Sequence, residues 1–390
     1  MSTAATARID QLFERTKLAC FGRYTLRVPV DTELTFGENV IDDGFITYPD
    51  AAGQVNELLT QHWNKVLTSD DTAKLIEIKD GPLPGGKYFW YYKSEFSQAR
   101  ETRNFYGVAV TNGHAFSYQG MALKGDQAKA WTDVETHIRN LRYRDPDEVP
   151  QEPGVCLKLG FVRDTNYQFR ERFDGGIYIP SLPDVSFSVS SNKKARTVSA
   201  GAQGLLKSIE KQRAFLGPNY PKLDTLREGK KTVGIWMGEE SLVRRKDGTH
   251  DFEWEFISDE RTVSHPGRLG AKLFSKVEQD RIGAAAKASL SDEEAIALWD
   301  RLLGSLDFRV PVPGGPVSKG PNGEAMALRP LKAGEVCPVA GMWRPVHPKL
   351  DQNGRADLYI PKGDTMPGEL YGQLLRINPN DVSWILVQAL

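Results

Sequence analysis

In 390 residues there are three cysteines, a formal net charge of only -1, and no long apolar run. Each shortage removes a class of protein. Cys20, Cys156 and Cys337 are too few for a disulfide scaffold and show no metal-ligand spacing. The near balance of 50 basic and 51 acidic residues leaves no excess charge for phosphate backbones, so a nucleic-acid partner is not expected. No stretch of about 18 apolar residues occurs, so no segment is expected to span a membrane. The first residues, Met1 to Arg8, carry no apolar core like that of a secretory signal. Two accounts fit that start: a cytosolic protein, or one whose export segment has been cut away.

Catalytic signatures are missing as well. There is no Gly-x-Ser-x-Gly elbow and no His-Glu-x-x-His, and the six histidines are scattered without ligand spacing. The nearest miss is Gly81-Pro82-Leu83-Pro84-Gly85-Gly86-Lys87-Tyr88. It has P-loop spacing, but Tyr88 replaces the magnesium-binding Ser or Thr, and two prolines remove amide donors. A turn leading into a strand is the better reading. No catalytic, cofactor-binding or metal-binding residue is assigned, and an enzyme is not expected.

What is present is an ordinary globular composition, 40% hydrophobic and 10% aromatic, long enough for two or three domains. The pattern along the chain reads as two similar halves and a tail. The first half opens with a half-buried strand over Cys20–Pro29 and a second near Gly44–Tyr48 after a turn at Asp42-Asp43. Val55, Leu58, Leu59, His62, Trp63 and Val66 then fall at helical spacing. His62 sits on the presumed core side, where a hydrogen-bonded structural histidine outweighs a catalytic one. Strands follow at Tyr88–Tyr92, Tyr106–Val110 and His114–Tyr118, the last two joined through an Asn112-Gly113 turn. A helix carrying Trp131, Val134 and Ile138 closes the half.

The second half repeats the outline. It has a strand start at Cys156–Val162, a strand at Val185–Val189, a helix over Leu205–Phe215, and strands at Thr232–Met237 and Asp251–Phe256. Its closing helix begins at Ser291-Asp292-Glu293-Glu294, a capping-box signature. The segments Leu141-Arg142-Tyr143-Arg144 and Leu306-Asp307-Phe308-Arg309 match in their apolar and Arg positions. The expected fold class is α+β: two similar domains, each an antiparallel sheet with packed helices, at 1–150 and 151–311. A Gly/Pro-rich connection and a small β-rich module, 312–390, follow.

Two cysteine readings fit. Either all three are buried thiols acting as small hydrophobes, or one bridge forms and leaves one cysteine over. If a bridge forms, it pairs Cys20 with Cys156, since each opens a half. Acidic clusters at Glu239-Glu240 and at Asp251, Glu253 and Glu255 invite a carboxylate-pair reading. The second cluster alternates along a strand, and a solvated strand face accounts for it. Arg244-Arg245-Lys246 precedes an Asp247-Gly248 turn, so these cations mark an exposed hairpin tip; they could seat an acidic partner, but an ordinary solvated loop is the better reading of the residues alone.

Ordered landmarks resemble a known family, the immunity proteins that bacteria pair with type VI secretion phospholipase effectors. They are Cys20-Phe21-Gly22-Arg23-Tyr24 with Val28-Pro29, Gly154-Val155-Cys156 with Gly160-Phe161-Val162, and Pro183-Asp184-Val185. Gly238-Glu239-Glu240, Phe252-Glu253-Trp254-Glu255, and Leu290–Ala295 with Leu298-Trp299-Asp300 complete the set, which runs from Leu12 to Val310. The tail resembles a module recurrent near such secretion systems through Cys337-Pro338-Val339-Ala340-Gly341-Met342-Trp343. It has Met342 where a first tryptophan is usual, and no second tail cysteine. The resemblance implies a stoichiometric inhibitor of two α+β domains that keeps a toxic lipase from lipid, and a periplasmic location. Arg244, Arg245 and Lys246 are the positional choice for partner contact. The rival readings are an enzyme using Glu239, Glu240 and Glu253, and a structural envelope protein.

Overall fold

A computed structural model describes residues 6–41, 44–164, 171–193, 204–258, 263, 265–275, 288–309, 331–338, 340–346, 358–361, 363–367, 378 and 382–389. The expected turn at Asp42-Asp43, the Gly/Pro-rich stretch around Pro313–Pro316, and Val339 of the tail landmark lie outside the described residues. Described residues up to Asp307, apart from 151–153 and 164, belong to one compact unit.

The first half runs α1 (Ala7–Leu12), β1 (Thr16–Phe21), β2 (Tyr24–Pro29), β3 (Glu33–Ile41), β4 (Phe45–Tyr48) and α2 (Val55–Ser69). It continues through β5 (Lys74–Asp80), β6 (Lys87–Tyr92), α3 (Glu95–Ala99), β7 (Arg103–Thr111), β8 (His114–Ala122), α4 (Gln127–Arg139) and β9 (Leu141–Tyr143). The second half has β10 (Gly154–Leu157), β11 (Gly160–Arg163), β12 (Glu171–Tyr178), β13 (Val185–Asn192), α5 (Leu205–Leu216) and β14 (Leu223–Val233). Then come β15 (Trp236–Arg245), β16 (His250–Ile257), β17 (Arg268–Ser275), α6 (Asp292–Gly304) and β18 (Asp307–Phe308).

The repeat is a repeat of topology. In the first half the strands lie in the order β3-β4-β8-β7-β6-β5, and in the second β12-β13-β17-β16-β15-β14. These orders correspond strand for strand. The halves join through β3 and β12, which pair antiparallel with a bulge near Asp174, giving one twelve-stranded sheet.

Strand alternation assigns the helices to faces. In β6, Tyr88 and Trp90 point toward α4: Tyr88 stacks on Trp131 at 4.0 Å, and Trp90 lies 6.1 Å from it. Phe89 and Tyr91 point the other way, against His62 and Trp63 of α2. The α2 face buries Val55, Leu58, Leu59 and Val66 against Phe89, Tyr91, Tyr106 and Val108. In the second half α6 takes the place of α4, with Trp299 against Phe187 and Phe252. α5, the counterpart of α2, buries only Leu205, and its Phe215 is 89% exposed.

Both half-openings differ from the single strands expected. Gly22 has φ +53°, a left-handed conformation that reverses the chain after Phe21, so Thr16–Pro29 is a hairpin. Gly154–Arg163 is likewise a hairpin, turning at Lys158-Leu159. The two hairpins meet. The Gly22 N–H donates to the Cys156 carbonyl at 2.9 Å, the Cys156 N–H donates back at 2.8 Å, and the Cys20 and Cys156 sulfurs form a disulfide. Arg23, at the first hairpin's tip, donates to both carboxylate oxygens of Glu171 at 2.8 and 2.6 Å, in full burial. That pair ties the hairpin to β12 with the fork geometry that makes a buried ion pair tolerable.

The tail belongs to a second unit, which also takes in residues 151–153 and 164. β19 (Leu331–Lys332), β20 (Gly341–Val346), β21 (Leu358–Ile360) and β22 (Ser383–Ala389) make a four-stranded sheet in the order β19-β22-β20-β21. Leu331, Cys337, Trp343, Ile360, Met366, Val382 and Trp384 form its core. The Cys337 thiol is buried and donates to the Ile360 carbonyl at 3.6 Å.

Candidate functional site

The carboxylates considered for chemistry each have a structural partner. Glu239 accepts the Leu206 backbone N–H at 3.0 Å, satisfying a free donor in the first turn of α5. Glu240 is 3% exposed and accepts from Arg227 at 2.6 Å and from the Trp299 indole at 3.2 Å. Arg227 also donates to Asp300 at 2.6 Å, and Lys231 joins at 2.9 Å. Burial alone would raise the Asp300 carboxyl, but these hydrogen bonds outweigh it and hold the group below the ordinary carboxylate range. Glu253 pairs with Lys272 at 3.0 Å, and Asp251 with Arg245 at 2.6 Å. Glu255 departs from the solvated face expected of this strand: it is 8% exposed and paired with Arg268. Burial raises its pKa, with Arg268 opposing. This is a charge-laced strand face held by matched pairs.

His250, Ser275 and Asp292 bring a serine, a histidine and a carboxylate into one chain of hydrogen bonds. Ser275 Oγ lies 3.0 Å from His250 Nδ1, and Asp292 lies 2.9 Å from Nε2. Ser275 is 0% and His250 1% exposed, and the Ser275 hydroxyl already accepts the His250 backbone N–H at 2.8 Å. A substrate has no approach, so this set braces β16 against the start of α6. Among the described residues there is no group of three or more His, Cys, Asp or Glu able to hold a metal ion.

The Arg244-Arg245-Lys246 segment does lead into a tight hairpin between β15 and β16, with Gly248 at φ +82°. Its cations are not equivalent. Arg244 is held by Asp224 at 2.8 Å and Asp292 at 2.6 Å, and Arg245 by Asp251. Lys246 is exposed.

A larger concavity lies beside α2, where β3 and β4 pair at a single position among the described residues, Asn39 with Phe45, and it draws its lining from both faces of the sheet. It encloses about 880 Å³ between β3, β4, β8, α2 and the Lys158 turn. A second hollow of about 390 Å³ shares His62, Lys65 and Gln119 with it and extends toward Lys93 and Met121. His62 stacks on Tyr106 at 3.7 Å and lies 3.3 Å from the Tyr91 hydroxyl. Burial, with Lys65 adding, lowers its pKa from 6.5 to about 4, so the ring is neutral at ordinary pH. The sequence reading of a hydrogen-bonded structural histidine fits that geometry. It did not find the concavity, whose lining comes from segments more than 100 residues apart and carries no local motif.

The comparisons with known proteins bear on this arrangement. Residues 148–311 match the family model of the Tle cognate immunity protein 4 C-terminal domain. The likeness of fold reaches further. Immunity protein TplEi of the T6SS from Pseudomonas aeruginosa, in its apo structure, is 23% identical with a TM-score of 0.58. That match covers 75% of this chain and 97% of that one. The same protein complexed with "L" peptide gives 23% and 0.58 over 76% and 99% of the two chains. A chain of the Tle4-Tli4 complex gives 24% and 0.60 over 75% and 97%. No curated protein matches by sequence.

Within the segment that matches the Tle cognate immunity protein 4 C-terminal domain, the sequence landmarks hold structure. Asp184 is fully buried and accepts the Ser289 N–H at 2.8 Å and its hydroxyl at 2.6 Å. Ser291 and Glu294 close a reciprocal capping box at the start of α6. Gly238 has Trp254 across the ladder where a Cβ would stand, 2.6 Å from its ring. Just before the segment, the buried Arg144 donates to the carbonyls of Glu148 at 2.8 Å and Leu157 at 3.0 Å. None of these landmarks forms a reactive constellation with another.

Proposed function

We propose that this chain is a type VI secretion immunity protein that binds a cognate Tle phospholipase effector and blocks substrate access to its active site. The observation that carries the reading is the match of residues 148–311 to the Tle cognate immunity protein 4 C-terminal domain. The fold shared with TplEi and with a chain of the Tle4-Tli4 complex supports it over a longer span. In this reading the chain performs no chemistry. Its candidate carboxylates neutralise neighbouring cations or satisfy a helix terminus, and its Ser-His-Asp set is sealed. The hairpin tip at Arg244, Arg245 and Lys246 stays a proposed contact, with Lys246 the member best placed to reach a partner. We place the protein in the periplasm, where the Cys20–Cys156 disulfide would persist.

The test is protection. A sensitive host is made to export the effector, with this chain either exported alongside it or kept in the cytoplasm. Survival only on co-export is expected. Equal protection from the cytoplasm would contradict the compartment, and death in both arms would contradict the immunity reading itself.

A further inference from the structure

The twelve-stranded sheet is not joined evenly along its width. β3 pairs with β12 from Glu33 to Ile41, but with β4, its other neighbour, only at Asn39 opposite Phe45 among the described residues. β4 in turn pairs with β8 along its whole length. Beyond Asn39 and Phe45 the two strands part, and the concavity of about 880 Å³ lies between them, with Phe36 and Gly37 on one wall and Ile46 and Thr47 on the other. The weak seam of the sheet therefore runs between β3 and β4, one strand away from where the repeat of topology places the junction.

The opening segment sides with the second half as well. Arg23 reaches Glu171 of β12, the Tyr24 hydroxyl lies 2.8 Å from Ser191 of β13, and the Tyr24 ring lies 5.9 Å from Trp236 of β15. Asp10 of α1 pairs with Arg301 of α6, and the Arg27 N–H donates to Ser305 Oγ at 3.0 Å. The Gly154–Arg163 hairpin sides with the first half: β11 pairs with β9, and a Cβ on Gly160 would stand 2.6 Å from the Phe116 ring of β8. Two modules result. One is 7–41 with 171–307, and the other, 45–163 apart from 151–153, is inserted into it.

The links across the seam gather on one face. Phe21 packs where a Gly175 Cβ would stand, opposite Val189 and so on the side of Phe187, which meets Trp299 of α6. Phe116 shares a face with Tyr118, which is in register through Gly107 with Tyr88, stacked on Trp131 of α4. Both hairpins thus lie on the α4 and α6 side. There the Cys20–Cys156 disulfide, the paired Gly22 and Cys156 backbone hydrogen bonds and the Lys17–Asp147 ion pair at 2.9 Å all cross the seam. α2 and α5 occupy the opposite side: Phe89 meets α2, and Glu239, next in the strand to the α6-facing Glu240, caps α5.

We propose that this seam is a hinge: the two modules pivot about the joined hairpins, and the pivot changes the distance between α2 and α5. A firm connection on one side of a sheet whose own pairing is nearly interrupted leaves that rotation the softest. Layers pack about 10 Å apart, so α2 and α5 sit roughly 20 Å from the pivot, and a swing of about 10° moves one against the other by roughly 3–4 Å. α4 and α6 lie in the pivot's own layer and hardly separate.

Double electron–electron resonance on the full chain tests this, with spin labels placed two at a time at Asn64 on α2, Thr132 on α4, Glu210 on α5 and Glu293 on α6. All four side chains are exposed, and a genetically encoded ketone residue carries each label so that the cysteines stay as they are. Melting curves check that each labelled chain folds. The Asn64–Glu210 distance distribution is expected to be about twofold wider, or more, than the within-module distributions Asn64–Thr132 and Glu210–Glu293. Thr132–Glu293, which also crosses the seam, should match the within-module width. An Asn64–Glu210 distribution as narrow as those within modules overturns the proposal, because the seam is then rigid. Equal broadening of Asn64–Glu210 and Thr132–Glu293 also overturns it, since the modules then move without a pivot at the hairpins. Broad distributions within the modules overturn the division into two bodies, and the hinge with it.

Discussion

Removing the Cys20–Cys156 bridge should destabilise the protein chiefly through its unfolded state. The bond closes a loop with a sequence separation of 136. In the chain-entropy model a loop of that length restricts the unfolded ensemble by about 5 kcal/mol at 25 °C. The folded state loses little geometry, because reciprocal Gly22 and Cys156 backbone hydrogen bonds and the Arg23–Glu171 pair hold the two hairpins in place without it. Alanine is the better replacement than serine: both positions are at most 1% exposed, and a buried hydroxyl would add its own cost. Urea unfolding of wild type, Cys20→Ala, Cys156→Ala and the double variant forms a complete cycle. Each single variant should lose about 4–6 kcal/mol, and the double variant only about 1 kcal/mol more, since the first substitution already opens the bridge. Urea slopes should rise in all three variants as the unfolded chain expands. Single losses below about 2 kcal/mol that simply add in the double variant would refute the reasoning, because the cysteines would then be acting as independent buried side chains.

Three further outcomes are expected. His62 has a folded pKa of about 4 against an ordinary 6.5, so it is neutral in the fold and takes up a proton on unfolding in between. Stability from this residue is complete above pH 6.5 and falls as pH drops toward 4, by roughly 2 kcal/mol after allowing for partial exposure. Thermal melts across that range should flatten in His62→Gln, and an unchanged slope would contradict the assignment. Gly107→Ala should cost about 2–3 kcal/mol, because the new Cβ would stand 2.3 Å from the buried Tyr118 ring across the ladder; an unchanged melting temperature would contradict that packing. Glu239→Ala should lose about 1 kcal/mol with the helix-terminus bond, and neither it nor Glu253→Gln should change inhibition of the effector. Abolished function in a folded Glu253→Gln variant would revive the enzyme reading.

The strands and helices legible in the sequence were those with strong local signals. Asn112-Gly113 marked its turn, the α2 periodicity named the buried residues, and Ser291–Glu294 marked the start of α6. Gly22 looked like one position in an alternating strand, because alternation continues on both sides of a two-residue turn. β5 was missed since it is an edge strand with Leu75 and Ile78 exposed among charges, so it has no buried face to produce a pattern. Likewise β14 has five charged residues in eleven and is half-exposed, and its Arg227 is legible only through Glu240 and Asp300. The continuous sheet depends on β3 meeting β12 across more than 130 residues, which no local periodicity encodes. The concavity beside α2 was hidden for the same reason: Asn39, Lys65 and Lys158 come to line it only after the sheet has formed.

The central claim is stoichiometric inhibition, and the most direct measurement is titration of the purified cognate effector's phospholipase activity with this chain. Activity should fall linearly and reach zero at one chain per effector, with the complex surviving gel filtration. Full activity at a large molar excess, with the two proteins eluting separately, would contradict the account.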